Sequence, residues 1–121
     1  MNSPLVSIVI PTYNHAKFIG KALKSILDQT YENWEAIVID NHSTDQTSKI
    51  LDSYTDPRIK YFKINNNGII AKSRNLGIKK ATGEWIAFLD SDDWWTEDKL
   101  EICFNDIDNN NDFIYHDLEI I

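Results

Sequence analysis

The sequence holds a single cysteine, Cys103, which excludes an internal disulfide framework and a cysteine-rich zinc site. One thiol in 121 residues fits a reducing cytoplasm. No apolar run approaches the roughly 18 residues that cross a bilayer, so no membrane span is expected. The first residues also lack the charged-then-apolar layout of a signal peptide. Basic side chains are the scarcer sign, twelve against nineteen acidic, for a net charge of −7. A chain so charged is a poor partner for nucleic acid, a local basic patch aside. Repeats, linkers and low-complexity tracts are missing as well.

What is present describes one ordinary domain. Hydrophobic residues make up 42% of the chain and charged residues 26%, the balance of a globular protein rather than a disordered one. Short apolar runs alternate with amphipathic stretches. Strands are expected at 5–10, 34–39, 59–64, 85–89 and 113–116, and helices at 16–28, 44–54, 69–81 and 97–109. The first, second and fourth runs are nearly continuous in apolar residues, as in strands of a parallel sheet covered on both faces. The helix at 44–54 opens with Ser43 and Gln46 in capping-box spacing. That at 69–81 ends on Thr82-Gly83, a left-handed stop. In the helix at 97–109, Leu100, Cys103, Phe104 and Ile107 share one face, so Cys103 reads as an inert core thiol. Asn109 to Asp112 forms a turn into the fifth strand. The economical fold is an α/β domain: an open, mostly parallel, doubly wound sheet with strands and helices alternating.

Ligands of such sheets bind beyond the carboxyl ends of the strands. Polar residues follow those ends with regularity: Pro11-Thr12-Tyr13-Asn14-His15, Asp40-Asn41-His42-Ser43, Asn65-Asn66-Asn67-Gly68 and Asp90-Ser91-Asp92-Asp93. The last group sets three carboxylates within four residues, an arrangement that calls for a compensating cation or a basic partner. Oxygen ligands favour Mg²⁺ or Mn²⁺, commonly shared with substrate phosphates. The alternative for Asp92 or Asp93 is to cap the helix that follows. His15 and His42 read as ordinary surface-loop histidines, with contact to a phosphate as the alternative. Trp94 and Trp95 either wall a ligand site or pack against the last helix.

Together these segments resemble family 2 glycosyltransferases. The stretch from Val6 to Asn14 with Pro11-Thr12-Tyr13, the stretch from Ser25 to Tyr31, and Ile39-Asp40-Asn41-His42-Ser43-Thr44-Asp45 are similar to the family's opening motifs. The run from Asn67 to Gly77, with Lys72 and Arg74, is similar to the segment before the fourth strand. The run from Gly83 to Asp93 looks like the Asp-x-Asp region. The likeness runs through the whole length, in order.

The resemblance implies a GT-A fold and sugar transfer from a nucleotide diphosphate to an acceptor, inverting, in polysaccharide or glycoconjugate synthesis. It places Pro11, Thr12 and Tyr13 beside the nucleobase with Asp40 and Asn41. Asp90 and Ser91 fall near the ribose and diphosphate, and Asp92, with Asp90, holds Mn²⁺ or Mg²⁺. Lys72 or Arg74 faces the donor phosphates, although Arg74 could instead pair with a nearby aspartate. Asn41 stands where the family usually has a second acid, which leaves the base open while favouring a UDP-sugar. Such proteins continue into an acceptor-binding half with a catalytic base. Residues 1–121 therefore read as the nucleotide-sugar-binding part alone, with the base unassigned, the acceptor unknown, and self-association through the end of the chain in view. A cytoplasmic location follows, at the inner face of a membrane in the intact protein. Two other readings stand beside this one: a phosphate-handling α/β domain with an aspartate nucleophile, and a non-catalytic nucleotide-binding module. Against the first of these, no lone aspartate follows the first strand.

Overall fold

The structure is a computed structural model that describes residues 4–65, 70–110 and 118–120. Among the described residues nine elements alternate: β1 (Val6–Thr12), α1 (Ala16–Leu27), β2 (Trp34–Asp40), α2 (Thr47–Asp52), β3 (Ile59–Lys63), α3 (Ile70–Lys80), β4 (Trp85–Phe88), α4 (Lys99–Asn110) and β5 (Leu118–Ile120). They form one sheet in the order β3-β2-β1-β4-β5. The first four strands are parallel, and β5 runs antiparallel to β4. This is the mostly parallel doubly wound sheet that the apolar runs call for. The strand expected at 113–116, the turn residues Asn111 and Asp112, and Asn66 to Ile69 lie outside the described residues.

Burial explains the pattern of each strand. Every residue of β2 is buried, and so is all of β1 except Pro11. Alternate β1 residues point to opposite faces. Val6, Ile8 and Ile10 meet Ile19, Leu23 and Ile26 of α1, Leu51 of α2, and Leu100 and Cys103 of α4. On the other face Val9 lies against α3, so closely that a Cβ on Gly77 would fall 2.3 Å from Val9 Cγ1. Three helices thus cover one face, and α3 covers the other beside β1 and β2.

Three helix ends differ from expectation. No capping box forms at Ser43 and Gln46, because Ser43 turns to Asp40 and α2 starts later, at Thr47. Asp45 takes over there, its Oδ1 accepting the Thr47 N–H at 2.9 Å. The start of α4 is held from outside by Gln29, whose Oε1 accepts the Leu100 N–H at 3.1 Å. Gly83 shows no left-handed backbone; it is needed because a Cβ would fall 2.6 Å from the Leu5 carbonyl oxygen.

One buried acid sits within β2. Glu35 accepts hydrogen bonds from Ser7 Oγ (2.5 Å), Lys60 Nζ (2.7 Å), Thr82 N (2.7 Å) and Thr82 Oγ1 (2.9 Å). Burial alone would raise its carboxyl, but these bonds bring it down to about 2. The cluster clamps β1, β2, β3 and the α3–β4 connection at the edge opposite the polar loops.

Candidate functional site

Strand order decides where the site lies. The chain moves outward from β1 to β2 and β3, then returns to place β4 on the other side of β1. Successive loops therefore diverge between β1 and β4 and leave a crevice beyond their carboxyl ends. A cavity of about 340 Å³ occupies that crevice. From the loop after β1 come Pro11, Thr12, Tyr13 and His15; Asn41 follows β2; Ser73 and Arg74 stand on α3; Asp90, Ser91 and Asp92 follow β4.

The loops are braced before any ligand arrives. Asn14 and His42 both have φ of 52°, a left-handed conformation that asparagine tolerates better than most residues. The turn at Asn14 lets its N–H donate to Ser43 Oγ at 2.9 Å, while its Oδ1 accepts the Thr44 N–H at 2.8 Å. Asp45 Oδ2 accepts the Ala16 N–H at the first residue of α1 (3.1 Å). Across the crevice, His15 Nδ1 shares a hydrogen bond with Ser91 Oγ. In the Asp90–Asp93 loop, the Asp93 N–H donates to the Asp90 carbonyl at 2.9 Å, closing a turn.

Eight of the ten residues named from the sequence are brought together on this cavity: Pro11, Thr12, Tyr13, Asn41, Arg74, Asp90, Ser91 and Asp92. Asp40 is not. It is fully buried behind the wall, its Oδ1 accepting from Ser43 N (3.1 Å) and Ser43 Oγ and its Oδ2 from Tyr61 Oη (3.0 Å). Lys72 is exposed on α3 and does not line the cavity. His15 is no ordinary surface-loop histidine, being half-buried and bonded to Ser91, whereas His42 is exposed and away from the lining. Trp95 is buried and Trp94 exposed; both line a separate groove with Lys21 and Lys24. Asp93 does not cap α4, since its Oδ1 accepts the adjoining Trp94 N–H at 2.8 Å.

Three features of the lining are chemically open. Thr12 Oγ1 is buried without a hydrogen-bond partner among the described residues, an unusual condition that a ligand would relieve. Arg74 Nη2 lies 3.4 Å from Asp90 Oδ1, and both side chains are well exposed, so the pairing is weak and the guanidinium is easily redirected. Asp92 is exposed and lines the cavity. No cluster of three or more His, Cys, Asp or Glu side chains forms a metal cage among the described residues. Asp90 and Asp92 on one wall match a different pattern, a Mg²⁺- or Mn²⁺-type ion held by one or two carboxylates and completed by substrate phosphates.

Comparison with known proteins identifies the chain's relatives. The family model for glycosyl transferase family 2 matches residues 7–119. The chain is 42% identical over 122 residues to the Escherichia coli UDP-Glc:alpha-D-GlcNAc-diphosphoundecaprenol beta-1,3-glucosyltransferase WfgD, covering 100% of this chain and 48% of that protein. The structure of S. aureus TarS in complex with UDP-GlcNAc superposes with a TM-score of 0.82 at 34% identity, over 88% of this chain and 32% of that one. The mannosyltransferase PcManGT from Pyrobaculum calidifontis, in complex with GDP-Man and Mn²⁺, gives a TM-score of 0.77 at 28% identity, over 90% and 34% of the two chains. The chain thus spans less than half the length of these relatives.

Proposed function

The chain belongs to glycosyl transferase family 2, and from that premise we propose that its cavity receives the nucleotide diphosphate of a sugar donor, so that residues 1–121 form the donor-binding part of a glycosyltransferase. The observation that carries this reading is the convergence of Tyr13, Asn41, Arg74 and Asp92, from four separate segments, on one cavity. Tyr13, half exposed at the rim, offers a ring face to the base. The Asn41 amide can both donate and accept at a base edge. Thr12 Oγ1 bonds the ligand and loses its unpaired state. Arg74 leaves Asp90 for a phosphate oxygen, where a guanidinium makes stronger, paired hydrogen bonds.

Asp92, with Asp90 beside it, would hold the divalent cation, which when bound supplies positive charge to the departing diphosphate. The His15–Ser91 bond keeps the loop bearing those carboxylates at a fixed height against the loop bearing Tyr13. UDP is the favoured nucleotide, supported by the likeness to TarS bound to UDP-GlcNAc. Inversion at the sugar, a lipid-linked acceptor and a role in polysaccharide or glycoconjugate assembly complete the proposal, the acceptor on the strength of the similarity to WfgD. Cys103, buried and in no disulfide, suits a reaction on the cytoplasmic side. An aspartate nucleophile for phosphoryl transfer finds no support, because β1 ends in Pro11-Thr12 and Tyr13-Asn14-His15 follows it, with no aspartate among them.

Titration calorimetry tests the reading. UDP should bind with Mn²⁺ present and lose at least about tenfold in affinity when the ion is chelated, a change of ~1.4 kcal/mol. Asp92→Ala should remove that difference, and Asp93→Ala, which alters a side chain outside the cavity, should keep it. Equal UDP affinity with and without the ion in the parent chain would remove the metal role, and no UDP binding at all would remove the donor site.

A further inference from the structure

A carboxylate behind the wall of the cavity is joined to the rim by a directed chain of hydrogen bonds. Asp40 is fully buried at the last position of β2 and does not line the cavity. Among the described residues its side chain accepts three hydrogen bonds: from Ser43 N at 3.1 Å, from Ser43 Oγ, and from Tyr61 Oη at 3.0 Å. Ser43 Oγ in turn accepts the Asn14 N–H at 2.9 Å. A serine hydroxyl has one proton and rotates to suit its neighbours. With that proton given to Asp40, the lone pairs of Ser43 are what faces the Asn14 N–H. Asn14 directly follows Tyr13, and its φ of 52° is the left-handed turn that carries the chain from β1 toward α1. A non-glycine residue persists in that conformation where its surroundings hold it. Ser43 does so here, and the Thr44 N–H does so again through Asn14 Oδ1 at 2.8 Å.

We propose that Asp40 is a positioning residue for the base-binding wall: without touching the ligand it orients the hydroxyl of Ser43, through Ser43 the turn at Asn14, and through that turn the Tyr13 ring at the rim. This rests on the donor-site reading, and it gives Asp40 a different part from the contact with the nucleobase that the resemblance implies. The anchor is a firm one. Tyr61 stands on β3 two positions before Lys63, the register partner of Asp40, so strand pairing delivers its hydroxyl to the carboxylate. The Asp40 carbonyl accepts the Ile64 N–H at 2.9 Å, and the Asn41 N–H donates to the Thr12 carbonyl at 2.9 Å. Against this fixed strand end, Tyr13 is half exposed and depends on its loop for its place.

Asparagine at this position separates positioning from direct contact, because it removes the charge and keeps the bonds. Its Oδ1 still accepts from Ser43. Its NH₂ donates to Tyr61 Oη, whose own proton then turns to Ser48 Oγ, 3.2 Å away. A part played by the charge, on a base or on a cation, is lost in Asp40→Asn. A part played through Ser43 survives it, whereas Asp40→Ala removes both.

Two measurements on the chain test the proposal. Hydrogen exchange of the Asn14 amide, followed by NMR, reads the turn without any nucleotide. It should quicken at least about tenfold in Ser43→Ala and Asp40→Ala, and less than about threefold in Asp40→Asn. The Ile8 amide, within β1, should keep the parent rate in all three, which marks the change as local. Calorimetry with UDP and Mn²⁺ reads the consequence. Ser43→Ala and Asp40→Ala should bind about five- to tenfold more weakly, and Asp40→Asn should stay within about threefold of the parent. Asp40→Ala/Ser43→Ala should be no more than about twofold worse than Asp40→Ala, because both substitutions cut one chain of bonds. A parent that binds no UDP strikes the donor-site reading, while Asn14 exchange still decides whether Asp40 holds the turn. Should Asp40→Ala fail to fold, the half-buried Ser43 and the isosteric Asp40→Asn carry the test. The proposal is overturned if Asp40→Asn loses as much UDP affinity as Asp40→Ala, if the Asn14 amide exchanges at the parent rate in Ser43→Ala or Asp40→Ala, or if either alanine variant keeps the parent affinity.

Discussion

His15 and Ser91, separated by 76 positions in sequence, are hydrogen-bonded across the crevice where the strand order reverses. The bond joins the loop that carries Tyr13 to the loop that carries Asp92. Its value for binding is preorganisation: with the two walls held at one spacing, less ordering remains to be done when the ligand arrives. His15→Ala and Ser91→Ala should each weaken UDP binding by roughly fivefold, about 1 kcal/mol. The double variant should be little worse than either single one, because both remove the same bond. Calorimetry over this cycle decides the matter; additive losses would mean that each side chain touches the ligand independently.

Thr12 offers a way to separate binding from folding. Its Oγ1 is buried and unpartnered among the described residues, which costs the fold roughly 1–3 kcal/mol of desolvation. Valine has nearly the same shape and no hydroxyl. Thr12→Val should therefore leave the free energy of urea unfolding unchanged or raise it by up to about 1 kcal/mol, while UDP affinity falls several-fold. A variant that loses stability and retains affinity would show that the hydroxyl serves the fold instead.

How much of this was legible in the sequence depends on the distance over which each contact acts. The apolar runs of β1, β2 and β4 announce a parallel sheet because burial on both faces leaves its mark residue by residue. The gathering of Tyr13, Asn41 and Asp92 is likewise foreseeable, since parallel strands deliver their following loops to one edge. Long-range polar partners leave no such mark. Glu35 in the middle of a buried strand makes sense only once Ser7, Lys60 and Thr82 stand around it. His15 looks like any loop histidine until β4 brings Ser91 beside it. The same holds for Asp40, whose engagement by Tyr61 requires β3 to pair with β2. Ser43 and Gln46 have capping-box spacing, yet the tertiary bond from Ser43 to Asp40 wins over the local one.

Glu35 gives the fold a defined response to acid. Its carboxyl sits at about 2 in the folded chain, against an ordinary value near 4.3 when unfolded. A depressed carboxyl stabilises the fold fully above the unfolded value, and that contribution drains away as the pH falls from about 4.3 toward about 2. Glu35→Gln should remove roughly 1–3 kcal/mol at neutral pH, because an amide leaves the Thr82 N–H and the Ser7 hydroxyl with a poorer acceptor. The variant should also unfold with a flatter dependence on pH below 4.3 than the parent. Urea titrations at a series of pH values provide the test, and parallel curves for the two proteins would assign the acid sensitivity to other carboxylates.

Gly77 sets two opposing effects against each other in the middle of α3. Alanine is favoured over glycine within a helix by ~1 kcal/mol, so on backbone grounds Gly77→Ala should stabilise. Packing opposes this. The added Cβ would lie 2.3 Å from Val9 Cγ1 and 3.1 Å from Val9 Cγ2, and Val9 is fully buried with a stiff, β-branched side chain that has no room to turn away. The helix must move off the sheet, which typically costs about 1–3 kcal/mol and commonly exceeds the propensity gain. Gly77→Ala should therefore lower the urea midpoint. It should weaken UDP binding as well, since Ser73 and Arg74 ride on the displaced helix. Adding Val9→Ala should restore part of both losses by making space for the new methyl group. An alanine that raises stability by itself would place α3 farther from β1 than the Gly77–Val9 contact allows, and the rim of the cavity with it.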